Sequence, residues 1–591
     1  MRPNRHCSPL LPALLIYLLM LPVGAWALDQ NALQEQIARQ LVEAGSCQPV
    51  SLTSAPPLEQ FYAERDYHAA WLDAAGLKPA AQALLEALQD APKEGLDPED
   101  YPLTELENAL AELLYQAGSP TGMAPAQAAA LEIGLSRTAL RFGRHLAEGR
   151  ISPEDTGQSW FAPVNSDAWQ PRLARMLAAA SAAAVQTAAA PPQASYADLH
   201  HALERYLALN AQGGWEPIVA GDQTLEAGMQ AEAVIHLRNR LEKSGDLLPE
   251  INRIAANSMS LSLFDTAVAR AVTAFQIRHG LTPDGKVGER TLAALNVPVE
   301  RRIATLRANM ERRRWTPRHP APRYLRVNIP AFELEMVSEG QVIKTMPVVV
   351  GRPRRPTPVL SGRMTYLELN PYWHIPPRIA RKDILPKIQA DPEYLFAHGI
   401  RVFSDWTDQA RELDPHDVDW GRLTPASFGY KLRQDPAPFN ALGQVKFIFP
   451  NTHSIYLHDT PAKSLFTKQH RSFSSGCVRV AEPQALTSLL LADRPAWSRD
   501  RIAAVLASKK PTVVRLKTPL PVYLQYWTAW VDEAGRVHFR EDIYGRDRAL
   551  LKALESRHRH LATCSPTTVL KTAKAAAATV QKPIVSALRA S

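Results

Sequence analysis

The chain is poor in cysteine: four in 591 residues, at positions 7, 47, 477 and 564. So few thiols exclude a disulfide-built scaffold, which needs several pairs in a much shorter chain. A packed run of lysine or arginine is also missing. The net charge of +8 is spread along the sequence, which argues against a nucleic-acid-binding stripe and suits a diffuse polyanion such as a cell surface. After residue 27 no stretch is long and apolar enough to cross a membrane. What remains is ordinary for globular domains, with 46% hydrophobic and 21% charged residues. A chain of this length is expected to hold about three domains.

The N-terminus sets the compartment. Arg2 and Arg5 precede a largely apolar run from Leu10 to Leu21, and Ala25-Trp26-Ala27 follows as a small-x-small cleavage pattern. This is the layout of a secretory signal peptide over residues 1–27. Left uncleaved, Leu10 to Ala27 would anchor the chain in a membrane. Either way the remainder is read as exported. Cys7 departs with a cleaved signal, Cys47 and Cys564 are the two that could pair, and Cys477 is left over. A free thiol in an oxidising compartment is a candidate reactive group.

Residues 28–215 read as an alanine-rich helical scaffold, with apolar residues recurring at three and four in Asn31–Gly45, Pro79–Gln89 and Ala126–Gly149. Trp71 and Trp160 are read as packing residues. The low-complexity stretch Ala178–Ser195 is read as a linker or a flexible helix. Residues 222–298 form a compact helical unit: Val234, Leu237 and Leu241 share one face, Val268, Val272 and Phe275 another, and a third short helix starts near Val287. From about 322 the pattern changes to period two, as in RYLRVNIPAFELEMVSEGQVIKTMPVVVG, and short extended segments recur up to residue 518. Residues 376–429 interrupt this β unit as a longer, more helical insertion, and 519–562 add further strands and a helix. The tail 563–591 is rich in Ala, Lys and Thr and reads as disordered.

Cys477 lies in HDTPAKSLFTKQHRSFSSGCVRV, which starts at His458. A thiolate attacks a carbonyl where a thiol does not, so the sulfur needs an imidazole to take its proton or to hold an ion pair. His458 ends the strand-like SIYLH and is the natural partner. Ser474 and Ser475, expected to contact substrate, lead into Gly476, where a tight backbone turn would leave the sulfur exposed. Main-chain N–H groups of Gly476 and Cys477 would then form an oxyanion hole. Arg479, two residues on, faces the same side as Cys477 if that segment is extended, and would hold a substrate carboxylate.

These motifs carry a resemblance. SSGCVRV with HDTP upstream resembles the active-site signature of the L,D-transpeptidases, the YkuD-type catalytic domain. NPYWHIPPRIARKDILPKI and LGQVKFIFPNTHSIYLHDTP resemble the branch of that family with a large N-terminal scaffold. AVTAFQIRHGLTPDGKVGERTLAALN is similar to the three-helix peptidoglycan-binding domain found beside many cell-wall enzymes. The fold class implied is multidomain: a mainly β catalytic domain with a helical insertion, a peptidoglycan-binding domain and an α-helical scaffold. The resemblance implies Cys477 as nucleophile, His458 as general base and acid, Asp459 as the residue that orients His458, and Gly476 and Ser475 as lining the nucleophile turn. Most members carry a second histidine where this chain has Ser475, so that histidine's role does not transfer. The implied reaction is a 3→3 crosslink made through a thioester, with D-alanine leaving a tetrapeptide stem and carbapenems acylating the same sulfur.

No cofactor and no metal are implied. The implied partners are peptidoglycan stems and glycan in a periplasm, with penicillin-binding proteins or other wall-synthesis proteins alongside. Three rivals use the same sequence differently. An L,D-carboxypeptidase would release the thioester to water. A zinc hydrolase would draw on His453, His458, Asp459 and His470, but lacks paired ligands on a helix. A non-catalytic wall-binding protein would need only residues 222–298.

Overall fold

The computed structural model describes residues 28–44, 58–117, 124–157, 160–161, 168–257 and 261–561. The signal segment, Cys47, Cys564 and the tail 563–591 lie outside them.

The scaffold is helical because its apolar residues repeat at helical spacing. Pro79–Gln89 starts with proline in its first turn and buries Ala80, Ala81, Leu84, Leu85 and Leu88. Its core joins Leu33, Trp71, Leu84, Phe142 and Val185. Trp71 is fully buried there, with its indole N–H on Ser136 at 2.8 Å. The stretch expected to be a linker is instead folded. Ser181 caps a helix over Ala182–Ala189, and Val185 and Ala189 enter the scaffold core. Alanine is the best helix former, and one valine and one terminal alanine suffice to dock the helix.

Helix Ala194–Ala211 belongs to a different core. It packs on helix Val299–Arg314 and on the hairpin Ala529–Val531/Val537–Phe539. Val299–Arg314 ties the domains together: Asn309 Nδ2 donates to Thr528 Oγ1 at 2.7 Å, Arg312 pairs with Asp547 at 2.6 Å, and Glu311 Oε1 accepts the N–H groups of Arg150 and Ile151. The unit at 222–298 buries Val234, Leu237, Leu241, Val268, Val272 and Phe275 as its pattern requires. It has one helix more than the three expected, Pro249–Asn257.

The β-rich domain holds a ten-stranded sheet. Eight strands form a closed circuit: Arg323–Asn328, Glu333–Ser338, Gln341–Gly351, Val478–Val480, Leu457–His458, Val445–Ile448, Val359–Leu369, Thr512–Gln525 and back to the first. Trp160–Phe161 of the scaffold adds to Val359–Leu369, and Trp160 meets Trp315 edge to face at 5.0 Å. The boundary expected at 518/519 does not exist. Thr512–Gln525 is one strand that runs through Pro519 and Pro521; a register shift between Arg515 and Leu520 spans Pro519, and Pro521 stays in register with Arg363.

The insertion at 376–429 carries the helical turns expected of it and two short strands that join a small sheet with its flanks. Short helices lie against a four-stranded antiparallel sheet of Trp373–Ile375, Ile400–Phe403, Glu412–Leu413 and Lys431–Gln434. Leu432 and Val402 alternate with less buried neighbours at period two and are buried in a separate core with Ile384 and Leu385.

Candidate active site

Leu457–His458 and Val478–Val480 pair in parallel, with Leu457 opposite Val478 and His458 opposite Arg479. The ladder extends one step back, since Val478 N–H donates to the Tyr456 carbonyl at 3.2 Å. Side chains alternate along a strand, so Tyr456 and His458 share a face with Cys477 and Arg479. Lys446 stands opposite His458, and Glu368 opposite Lys446. The other face carries Leu457, Val478, Val480, Phe447 and Leu367, all in the apolar core. A polar stripe therefore crosses four neighbouring strands, with the sulfur at one end and the Lys446–Glu368 pair (3.7 Å) at the other.

His458 is buried and its Nδ1 donates to the Asp459 main-chain carbonyl at 2.5 Å. That bond orients the ring and leaves Nε2 to take a proton. The Asp459 carboxylate is turned elsewhere. It accepts Gln444 N–H at 2.8 Å and Thr460 N–H at 2.7 Å, pairs with Lys463, and presses so closely on Gly443 that a Cβ there would lie 2.4 Å from it. Asp459 thus orients the imidazole through its backbone alone.

Burial pushes the His458 pKa down to about 3, helped by Arg479 and Lys446 and opposed by the Asp459 carbonyl. Burial also raises the Cys477 thiol above its ordinary range, against Tyr456, Lys446 and Arg479, which hold it down. At neutral pH the pair is therefore thiol and neutral imidazole. Both shifts favour the neutral forms over the ion pair weighed from sequence. The half-buried Cys477 thiol donates to the Ser454 carbonyl at 3.7 Å.

The nucleophile turn is pinned from inside. Gly476 has φ of +121°, in the region that favours glycine. Ser474 Oγ donates to the Cys477 carbonyl at 2.6 Å and accepts Gly476 N–H at 3.1 Å. Thr357 Oγ1 donates to the Gly476 carbonyl at 2.8 Å. Two expectations change. Ser474 is buried and both hydrogen bonds of its hydroxyl are spent on the turn, which gives it a role in holding the turn. Gly476 N–H is already taken, so Cys477 N–H is the turn's remaining donor for an oxyanion.

Ser475 is exposed, and its Oγ accepts from Arg352 at 3.2 Å and Arg355 at 3.0 Å. Arg479 Nε is buried with no hydrogen-bond partner among the described residues, and its charge acts on the sulfur. Of the zinc set, His470 bonds Ser472 at 2.5 Å and His458 bonds the Asp459 carbonyl. Among the described residues, the group whose ligand atoms lie within 4.8 Å of one another is His200, His201 and Glu204, on a scaffold-side helix.

Sequence reasoning missed Tyr456, Lys446, Thr357 and the arginine loop. Tyr456 was legible from the alternation in SIYLH. Thr357, more than a hundred residues from Gly476, left no local signal.

Residues 322–497 match the family model described as "L,D-transpeptidase catalytic domain", 230–295 match "Putative peptidoglycan binding domain", and 56–203 match "Scaffold domain". A curated relative from Haemophilus influenzae, described as "Putative L,D-transpeptidase", is 39% identical over 224 residues, which is 38% of this chain and 44% of that protein. The chain therefore aligns with under half of that relative. Two solved L,D-transpeptidases are also similar, each 16% identical with a TM-score of 0.17. One, from Mycobacterium smegmatis, aligns over 35% of this chain and 59% of its own. The other, from Xylanimonas cellulosilytica, aligns over 52% of this chain and all of its own. Superpositions that loose add nothing to the fold described above. The family matches agree with the polar stripe and the pinned cysteine turn: residues 322–497 are an L,D-transpeptidase catalytic domain of the YkuD type, in a chain that also carries a peptidoglycan-binding domain and a scaffold domain.

Proposed function

We propose that the protein is an exported L,D-transpeptidase that forms 3→3 peptidoglycan crosslinks. The observation that carries this reading is the parallel register of His458 with Arg479, which gathers thiol, imidazole and cation on one sheet face. His458 Nε2 takes the thiol proton as Cys477 attacks the carbonyl between the third residue of a tetrapeptide stem and its D-alanine. The oxyanion meets Cys477 N–H. His458 returns the proton to the leaving D-alanine amine, and a thioester remains. The amine of a second stem then attacks the thioester and regenerates the thiol. One peptide bond replaces another, so no external energy source is required. Arg479 holds a stem carboxylate, which would compensate its charge. The insertion covers the donor side and keeps water from the thioester. Release to water, the carboxypeptidase outcome, would use the same residues.

The test is mass spectrometry of muropeptides from cells expressing the protein or its Cys477→Ala variant. Crosslinked 3→3 dimers are expected with the thiol and not without it. Equal amounts in both would overturn the reading. Loss of D-alanine with no dimers would identify the hydrolase.

A further inference from the structure

Three arginines, Arg352, Arg354 and Arg355, crowd into the loop between Gly351 and Thr357, and the proposed chemistry uses none of them. The loop is tightly folded: a Cβ on Gly351 would lie 2.2 Å from the Arg355 carbonyl. It is fastened to the nucleophile turn, since Arg352 N–H donates to the Ser474 carbonyl at 3.0 Å and Thr357 holds Gly476. The Arg352 and Arg355 guanidinium groups are thereby brought onto Ser475 Oγ, two residues before the sulfur.

Their counter-ion comes from outside the barrel. Asp383 of the insertion takes both Arg355 terminal nitrogens in a two-point pair and lies 3.9 Å from Arg352. It sits in Ala380–Ile384, a π-helical turn, a local irregularity that recurs at functional sites. One carboxylate facing two guanidinium groups leaves positive charge unmatched. A planar fork that already grips one carboxylate is built to grip another. The insertion has its own core, separate from that of the barrel.

From these contacts we infer that Arg352 and Arg355, with Ser475, form a carboxylate subsite for the donor stem beside Cys477, and that Asp383 occupies it as an internal stand-in. An incoming stem carboxylate exchanges with Asp383, so binding at the subsite and release of the insertion are one event. The identity of the ligand rests on the proposed transpeptidase reading, whereas the preference for carboxylate does not.

The test uses the full chain carrying Cys477→Ala, so that binding is read without turnover. Calorimetry compares a stem tetrapeptide ending in D-alanine with the same peptide in which every carboxyl is a carboxamide. Arg352→Ala and Arg355→Ala should weaken the acid peptide about tenfold, as expected for losing a charge-assisted pair. Asp383→Asn should tighten it several-fold, because the competitor is gone. Neither change should move the carboxamide peptide. Arg355→Lys, with a thermal melt, separates loss of the fork from loss of fold: weaker acid binding with an unchanged melt supports the subsite. If Asp383→Asn weakens binding as much as Arg355→Ala, or if both peptides respond alike, the arginines are only a strut to the insertion and the inference is overturned. A wild-type chain that forms no thioester would remove the transferase reading while leaving the acid-over-amide preference standing. Normal crosslinking with an acid preference that Arg352→Ala and Arg355→Ala leave unchanged would remove the subsite alone.

Discussion

Leu457 and His458 are neighbours in a strand of two residues, yet they serve opposite regions of the β domain. Leu457 is fully buried in the apolar core with Val478 and Phe447. His458 stands in the polar stripe with Tyr456, Lys446 and Arg479. Core positions are interchangeable within limits of volume, because dispersion and the hydrophobic effect have little direction. Stripe positions are not, since each group has its chemistry set by a particular neighbour. The comparison shows that one pleat divides stability from reactivity, and substitutions on its two sides should fail in different ways.

The largest effect is expected across that pleat. His458→Ala should lower acyl transfer by about 10²–10⁴-fold, the usual worth of a general base, with no loss of thermal stability. Leu457→Ala should cost about 2–5 kcal/mol of unfolding free energy while transfer per folded molecule stays close to normal. Denaturant titration and turnover, measured on both variants, check this. Matching profiles for the two would dissolve the distinction between the faces.

A smaller effect concerns the resting state of the stripe. Deprotonation makes the thiol reactive, and burial raises the Cys477 pKa from 9.0. Alkylation of Cys477 by iodoacetamide should therefore be slow at neutral pH and climb about tenfold per pH unit into the alkaline range. A rate already level below pH 7 would mean a standing thiolate–imidazolium pair. Such a result would sharpen the comparison differently, making the stripe charged at rest.

The smallest effect is expected at Asp459. Its carboxylate fastens Gln444, Thr460 and Lys463, and only its carbonyl meets His458. Asp459→Asn should cost about 1 kcal/mol of stability from the weakened hydrogen bonds and leave the rate nearly unchanged. A fall in turnover like that of His458→Ala would return the side chain to the reaction.

Much of the site was readable from local pattern. The spacing of His458 and Cys477, the glycine before the sulfur and the alternation that aligns Arg479 with Cys477 are all short-range features. The hydroxyl of Ser474 illustrates the limit. From sequence it reads as a polar group beside a nucleophile, and only the closed turn shows that both its bonds are spent on Gly476 and Cys477. The alanine-rich stretch after Ala178 has no period to announce packing, so its helix became visible only through the scaffold surface that receives Val185. The small sheet at the insertion stayed hidden for a related reason. Its strands are two to four residues long, too short for periodicity to outweigh the helical turns between them.

Sequence alone determined which residues are chemically able to react, because side-chain type and strand alternation are properties of a few neighbouring positions. It also determined the order of the domains, since hydrophobic period changes from helical to alternating along the chain. Tertiary structure decided what those residues are able to do. Protonation depends on burial and on charges from distant strands, which placed thiol and imidazole both in their neutral forms. The pairing of Arg355 with Asp383, and of Thr357 with Gly476, likewise exists only once the sheet has closed and brought remote segments within hydrogen-bond reach.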